Sequence, residues 1–210
     1  MKNFFRLLAA AAVSLACVNL AQAHPHVWVK MSTQLIYAPD GSVTGVRHAW
    51  EFDDMYSTFA LEGLQSAKKG VFTREELAPL AQVNVESLKE SDFFTYAKAN
   101  GKDLAFGDAK DYSLDYKDEV LTLQFTLPLK SPVKAKELNV EVYDPSYFVD
   151  FALINKDAVT LVGAPTQCKV ALEKPKDTNV AQSSKPLSES YFANMNMGAN
   201  FATKIAVKCP

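Results

Sequence analysis

Two of the three histidines in the chain stand close together, as His24 and His26 with Pro25 between them. They directly follow a segment with the features of a secretory signal, so cleavage after Ala23 would make His24 the first mature residue. A terminal histidine offers its α-amine, with a reference pKa near ~8, and its ring Nδ1 to one metal ion. His26 projects to the same side of an extended chain. These nitrogens suit Zn²⁺, Ni²⁺, Co²⁺ and Cu²⁺, although two histidines can also meet beside a cleavage site by chance.

Pro25 limits the kind of chelate that can form. The square-planar amino-terminal copper and nickel motif requires deprotonation of the second residue's amide, and proline has no N–H. The site would therefore have to be completed by other side chains. A predicted hairpin brings Asp53 and Asp54 opposite His26, within a residue of register. His48, further along the same strand, is a lesser candidate.

The first 23 residues are typical of a cleaved signal and not of a folded domain. Lys2 and Arg6 form a positive start, and the apolar stretch Leu7–Leu20 is short for a bilayer span. Ala21-Gln22-Ala23 has the small-x-small pattern of a cleavage site. We therefore expect a periplasmic protein with no membrane insertion after cleavage. An uncleaved anchor and a lipoprotein modified at Cys17 are the alternatives.

The composition indicates one sizeable globular core. The chain of 210 residues is 48% hydrophobic and 22% charged, which excludes a mostly disordered chain, a collagen-like repeat and a coiled-coil rod. Cleavage removes 23 residues and leaves 187. Two of the 22 basic residues go with the signal, so 20 then face 24 acidic residues and the formal charge becomes −4. This balance gives no support for a nucleic-acid partner.

The cysteines predict a disulfide. Cleavage would remove Cys17 and leave Cys168 and Cys209, an even number in an oxidising compartment. Their bridge would close a loop of about 42 residues and contribute roughly 4 kcal/mol. A cysteine pair that binds a metal ion is the alternative.

The elements that must position these residues begin with a β-hairpin. Alternating apolar residues predict strands over 26–37 and 43–52, with Asp40–Gly41 as the turn signal. From residue 92 onward the pattern is again that of β-strands. The predicted later strands are 93–99, 104–106, 112–116, 120–127, 138–143, 147–153, 159–162, 168–172 and 205–208.

Two helices are predicted between the hairpin and the later strands. The first covers roughly 54–66, with Asp53 or Asp54 as its cap. The second runs to about residue 90 and begins at Thr73, with Glu76 three residues on to complete a capping box.

The loop between these helices has the spacing of an EF-hand. Counted from Gln65 as position one, Gly70 falls at position six and Glu76 at position twelve. Positions three and five are Ala67 and Lys69, which offer no side-chain oxygen, so we expect no calcium. An ordinary helical hairpin with a glycine turn is the alternative.

These elements predict an α+β fold, an antiparallel β-sheet domain with an inserted EF-hand-like helix-loop-helix. We divide the chain into a signal peptide (1–23), an α+β metal-binding domain (24–172), and a linker with a C-terminal strand tied back by the disulfide (173–210). The chain contains no Gly-x-Ser-x-Gly, His-Glu-x-x-His or phosphate-loop pattern, so we predict that it is not an enzyme.

Several motifs together match a known family. The chain resembles the bacterial periplasmic proteins grouped as domain-of-unknown-function family 1007, often labelled the periplasmic component of an uncharacterised ABC-type transport system. The resemblance covers nearly the whole mature chain and rests on the motifs His24-Pro25-His26, Trp50-Glu51-Phe52-Asp53-Asp54-Met55-Tyr56-Ser57, Phe72-Thr73-x-x-Glu76-Leu77, Phe94-Thr95-Tyr96, Leu123-x-Phe125-Thr126-Leu127-Pro128-Leu129, Tyr143-Asp144-Pro145-Ser146-Tyr147 and Cys168.

The resemblance implies a periplasmic protein that works beside a nickel/cobalt-type membrane permease and handles Ni²⁺, Co²⁺ or Zn²⁺, with Cu²⁺ also possible. It implies functional roles for His24, His26, Asp53 and Asp144, which we predict as metal ligands. Two other functions stay open. One is a terminal-histidine copper oxygenase, which would need His48 beside His24. The other is a metal-free adaptor that docks on its permease.

Overall fold

A computed structural model describes residues 25–175 and 196–210. Within these residues, two β-sheets share one core and two helices follow the first hairpin, which confirms the α+β class. The helices are α1 (Asp54–Ala60) and α2 (Arg74–Lys89). The strands are β1 (Val27–Tyr37), β2 (Val43–Phe52), β3 (Thr95–Ala99), β4 (Lys102–Asp103), β5 (Lys110–Lys117), β6 (Val120–Val133), β7 (Glu137–Val142), β8 (Val149–Leu153), β9 (Val159–Val162), β10 (Lys169–Glu173) and β11 (Lys204–Lys208).

The first hairpin forms because apolar residues alternate with polar ones along β1. Val29, Met31 and Leu35 are buried on one face, as a half-exposed strand requires. Met31 lies opposite Trp50 of β2. At the turn, the Asp40 carboxylate accepts a hydrogen bond from the backbone N–H of residue 42 at 3.0 Å. The predicted bounds of β2 match the observed ones.

In place of the predicted single antiparallel sheet, the chain forms two sheets. The first has the order β5-β6-β2-β1-β8, and the second has the order β10-β11-β7-β3-β4. The first sheet is mixed, because β1 pairs in parallel with β8 over Val27–Met31 and with β9 over Thr33–Ile36. Alternation along a strand specifies which face is buried but not which strand lies beside it. The parallel neighbours of β1 were therefore not predictable from the pattern.

The inward faces of the two sheets fill the core. Trp50 and Phe125 are its largest fully buried side chains, and their rings meet edge to face with centroids 4.8 Å apart. Leu138, Val140 and Ile205 contribute from the second sheet.

Both predicted helix starts are confirmed. Asp53 caps α1, and Thr73 caps α2 through a complete capping box with Glu76. Helix α1 ends at Ala60, earlier than predicted, and residues 61–63 form a turn directly after it. Gly63 in that turn has a φ of +80°, which favours glycine.

Two predicted strands in the next segment are shorter than expected. Residues Asp92–Phe94 form a 3-10 turn with φ values of 49°, 52° and 48°, so β3 begins only at Thr95. The Thr95 hydroxyl donates to the Phe93 carbonyl at 2.8 Å and holds this turn in place. The strand predicted over 104–106 is reduced to an isolated bridge at Phe106.

The predicted disulfide between Cys168 and Cys209 is confirmed. It joins the residue before β10 to the residue after β11, and β11 lies between β10 and β7 in the second sheet. The predicted linker lies outside the described residues from residue 176. None of the described helices has the length and apolar character needed to cross a bilayer.

Candidate metal centre

His26 lies immediately before β1, at the end of the first sheet where β2, β1 and β8 are neighbours. Its backbone N–H donates to the Phe148 carbonyl at 2.8 Å. Its imidazole is exposed and lies against the Phe148 ring, with centroids 4.9 Å apart. These contacts fix where the N-terminal segment meets the sheet. His24 lies outside the described residues.

Asp53 directly follows the last residue of β2, on one side of this position. One carboxylate oxygen, Oδ1, accepts from the Tyr56 N–H at 2.8 Å and caps α1. The other, Oδ2, accepts from the Trp28 N–H at 2.9 Å. Asp53 thus lies across from Trp28, two residues along β1 from His26, and both of its oxygens bind backbone donors.

Asp144 lies on the other side, in the loop before β8, and is only 6% exposed. Its Oδ1 accepts from the backbone N–H and the hydroxyl of Ser146, both at 2.8 Å. Its Oδ2 accepts from the N–H groups of Phe148 and Val149, both at 3.0 Å. Asp144 therefore holds the loop that carries Phe148, and through Phe148 it positions His26.

The structure brings the predicted residues His26, Asp53 and Asp144 to one end of the first sheet, but the two carboxylates are engaged in shaping the backbone. Within residues 25–175 and 196–210, no group of three or more histidine, cysteine or acidic side chains is arranged to hold a metal ion.

A further carboxylate at this end of the sheet, Asp150, is marked by no sequence motif, and β8 places it beside Trp28 in the parallel register. Burial raises the pKa of the Asp150 carboxyl. Burial and the Asp150 charge raise the pKa of Tyr147 to about 12. The position of Asp150 was not predictable from the sequence, because only the parallel pairing of β8 with β1 brings it beside Trp28.

Comparison of the sequence with models of known protein families identifies the family of this chain. A model of the family described as "Protein of unknown function (DUF1007)" matches residues 9–209. The chain belongs to this family. It is also similar to an uncharacterized protein of Haemophilus influenzae (strain ATCC 51907 / DSM 11121 / KW20 / Rd), with 24% identity over 193 residues, 89% of this chain and 91% of that protein. The resemblance to the family is confirmed.

His48 of this DUF1007 protein lies in the core and not at the candidate site. Its side chain is fully buried, with Nδ1 3.0 Å from Thr33 Oγ1 and Nε2 3.3 Å from Thr95 Oγ1. Both ring nitrogens are thus used within the core. Thr33, its partner on β1, lies seven residues along from His26, roughly 23 Å at the rise of a β-strand.

The loop between the helices is closed by Glu76. Its carboxylate accepts from the N–H groups of Thr73 at 2.8 Å and Ala67 at 2.7 Å, and these bonds lower the pKa of Glu76. Both oxygens of the residue expected at position twelve of an EF-hand therefore bind backbone donors.

Proposed function

We propose that this DUF1007 protein binds a divalent transition-metal ion through His24 and His26 in the periplasm and passes it to or from a membrane permease. The observation that carries the proposal is the placement of His26. Its imidazole is exposed at the start of a central strand, and its backbone is held by Phe148. Two carboxylates, Asp53 directly after β2 and Asp150 on β8, favour a cation at this end of the sheet.

We propose Zn²⁺, Ni²⁺ or Co²⁺ as the cargo, with Cu²⁺ possible, because amine and imidazole nitrogens suit these ions. The periplasmic location is supported by the signal-like first 23 residues and by the Cys168–Cys209 disulfide, which is typical of oxidising compartments. The nickel/cobalt-type permease, as the partner, follows from the family resemblance alone.

Asp53 and Asp144 act in this proposal by positioning the strand ends. Asp144 accepts two hydrogen bonds on each oxygen, so it would have to release a donor to bind a metal ion, and a buried donor without a partner costs about 1–3 kcal/mol. Asp53 accepts one backbone hydrogen bond on each oxygen and joins the start of α1 to β1. We favour a non-catalytic role, because the copper-oxygenase alternative requires an imidazole that His48 already commits to Thr33 and Thr95.

The helix pair has a structural role in the proposal. The EF-hand-like spacing provides a glycine turn at Gly70, with a φ of +74°, and Glu76 closes the loop with backbone donors. We propose that the loop acts without calcium.

The test is metal titration on protein exported and processed in a bacterial periplasm. Intact mass establishes whether the chain begins at His24. Calorimetry with Zn²⁺, Ni²⁺, Co²⁺ and Cu²⁺ is then compared with a form that carries one extra residue before His24. The proposal expects tight binding that the extension abolishes, since the extension removes the α-amine from the chelate. Binding that ignores the extension, or no binding, contradicts it.

A metal-free adaptor is the second candidate, because apolar side chains are exposed near the same end of the sheet. Met55 and Phe59 lie four residues apart on one face of α1 and are 64% and 71% exposed. Exposed apolar patches often mark interaction sites. An adaptor would keep its function in the variants His24→Ala and His26→Ala, whereas a metal carrier would lose it.

A further inference from the structure

A cavity of about 660 Å³ opens where the chain crosses from the second sheet to the first. Leu104 still pairs with β3, because its N–H donates to the Ala97 carbonyl at 2.9 Å. The next residues leave β3 and join β6, where the Ala105 carbonyl accepts from the Lys130 N–H at 2.9 Å. The cavity occupies the gap between β3 and residues 104–108 and shares no residue with the candidate metal centre. Its volume lies within the range of small-ligand sites.

The edge of β3 that lines this cavity carries two backbone groups without a hydrogen-bond partner. The Phe94 carbonyl accepts from the N–H of residue 143, directly after β7, so Thr95 and Ala97 direct their backbone groups to the opposite edge. On that edge the Thr95 N–H donates to the Asp92 carbonyl. The Thr95 carbonyl and the Ala97 N–H bond to none of the described residues. Free groups on a strand edge are the feature to which extended peptides bind.

The opposite wall carries free backbone groups as well. Ala105 and Gly107 direct their backbone groups to β6, where the Gly107 N–H donates to the Pro128 carbonyl at 2.8 Å. Phe106 lies between them in the isolated bridge, so its N–H and carbonyl point away from β6. An extended segment in the cavity therefore meets backbone donors and acceptors on two sides.

The charged side chains of the lining leave one carboxylate and one ammonium group without an ion-pair partner. Asp103 and Asp108 each pair with a lysine, at 3.0 and 2.6 Å. Asp92 and Lys130, which also line the cavity, form no ion pair and no side-chain hydrogen bond within the described residues. Asp92 lies in the turn before β3, whereas Lys130 lies on β6. This arrangement suits a ligand with an ammonium group at one end and a carboxylate at the other.

The turn before β3 supplies part of the lining at a cost in backbone strain. Asp92, Phe93 and Phe94 have φ values of 49°, 52° and 48°, although none of them is glycine. Such conformations are unfavourable for residues with a side chain and cluster at ligand-binding sites. The turn brings Asp92 and the ring of Phe93 into the lining, where Phe106 adds a second aromatic ring. The lining therefore also offers contacts to apolar side chains.

We propose that this cavity binds a short peptide as an extended strand parallel to β3. In a parallel pair, the N–H and carbonyl of one residue bond to two residues of the neighbouring strand. The middle residue of a tripeptide would thus donate to the Thr95 carbonyl and accept from the Ala97 N–H. Its amino terminus then lies toward the start of β3, where Asp92 binds the ammonium group. Its carboxylate lies at the other end, where Lys130 binds it.

The experiment measures the binding of trileucine by calorimetry in metal-free buffer. The peptide is used with free termini, with an acetylated amino terminus and with an amidated carboxyl terminus. The variants are Asp92→Asn, which keeps a residue type that tolerates positive φ, and Lys130→Gln. The matched controls are Asp118→Asn, at a φ of 51°, and Lys117→Gln, both in the turn between β5 and β6 outside the cavity.

The proposal expects wild-type protein to bind trileucine with free termini. Asp92→Asn and acetylation should each weaken binding by about ten-fold or more, and Asp92→Asn should not weaken binding of the acetylated peptide further. Lys130→Gln and amidation should behave in the same way at the other end. The two control variants should bind like wild-type protein. Hydrogen exchange at the Ala97 amide should slow when trileucine is bound.

Four results would overturn the proposal. The first is a wild-type protein that does not bind trileucine, and the second is binding that Asp92→Asn leaves unchanged. The third is an Asp92→Asn variant that weakens binding of the free and the acetylated peptide equally, since the carboxylate then does not contact the ammonium group. The fourth is unchanged exchange at the Ala97 amide, or equal affinity for free leucine, because either result excludes strand addition.

Discussion

Acid should destabilise this protein through His48, which bridges the two sheets. Thr95 Oγ1 donates its hydrogen to the Phe93 carbonyl, so it accepts from His48 Nε2. Nδ1 is then left to accept from Thr33 Oγ1. This assignment follows from the hydrogen-bond network and satisfies the neutral ring completely. A second proton would place an unpaired charge in the core and would remove the acceptor of Thr33.

The expected loss follows from the pKa of His48, which burial lowers to about 3. In the unfolded chain the imidazole takes up its proton near its ordinary pKa of about 6.5, while the folded protein resists protonation until about pH 3. Between these values the free energy of unfolding falls by about 1.4 kcal/mol per pH unit. From pH 7 to pH 4.5 the loss from His48 alone is about 2.5 kcal/mol. For a domain of this size that corresponds to roughly 5–10 °C in Tm.

Urea unfolding between pH 7 and pH 4.5 measures this loss when wild-type protein is compared with His48→Gln. Glutamine offers an amide donor and an acceptor but does not titrate. The carboxylates are the same in both proteins, so their titration cancels in the difference. The stability of wild-type protein relative to His48→Gln should fall by about 2.5 kcal/mol as the pH is lowered. Two curves that stay parallel over this range would refute the reasoning.

Three other changes test the packing. Asp144→Asn should lower the free energy of unfolding in urea by about 2–4 kcal/mol, because two backbone N–H groups lose a carboxylate acceptor; an unchanged midpoint would count against the positioning role. Thr73→Ala should cost about 1 kcal/mol through loss of the α2 cap, measured by thermal circular dichroism, and no change would mean that the cap is dispensable. Reduction of the Cys168–Cys209 disulfide should lower the free energy of unfolding by about 4 kcal/mol. Urea unfolding with and without reductant measures this loss, and equal midpoints would contradict the loop-closure argument.

Much of the secondary structure was predictable because its causes are local. Alternation and the turn at Asp40 predicted the first hairpin, and the residues at Asp53 and Thr73 predicted where the helices begin. Each depends on side chains within a few residues of one another. The early end of α1 and the 3-10 turn at Asp92–Phe94 were not predicted, because both depend on positive backbone φ values, at Gly63 and at residues 92–94, that the apolar pattern does not specify.

The candidate site was predictable only in part. The sequence marks His26 and Asp53 by type and spacing, and the hairpin register accounts for their approach. It does not reveal that Asp53 and Asp144 use their oxygens to bind backbone N–H groups. A carboxylate looks the same in a sequence whether it caps a turn or faces a metal ion.

The sequence by itself determined the first hairpin, the two helix caps and the pair of cysteines that form the disulfide. Only the tertiary structure decided that β8 lies parallel to β1, which places Asp150 beside Trp28 near His26. Only the tertiary structure placed His48 between the sheets. The physical reason is that parallel pairing joins Trp28 to Asp150, 122 positions along the chain, and sheet packing joins His48 to Thr95, 47 positions along it. A local pattern carries no record of such partners.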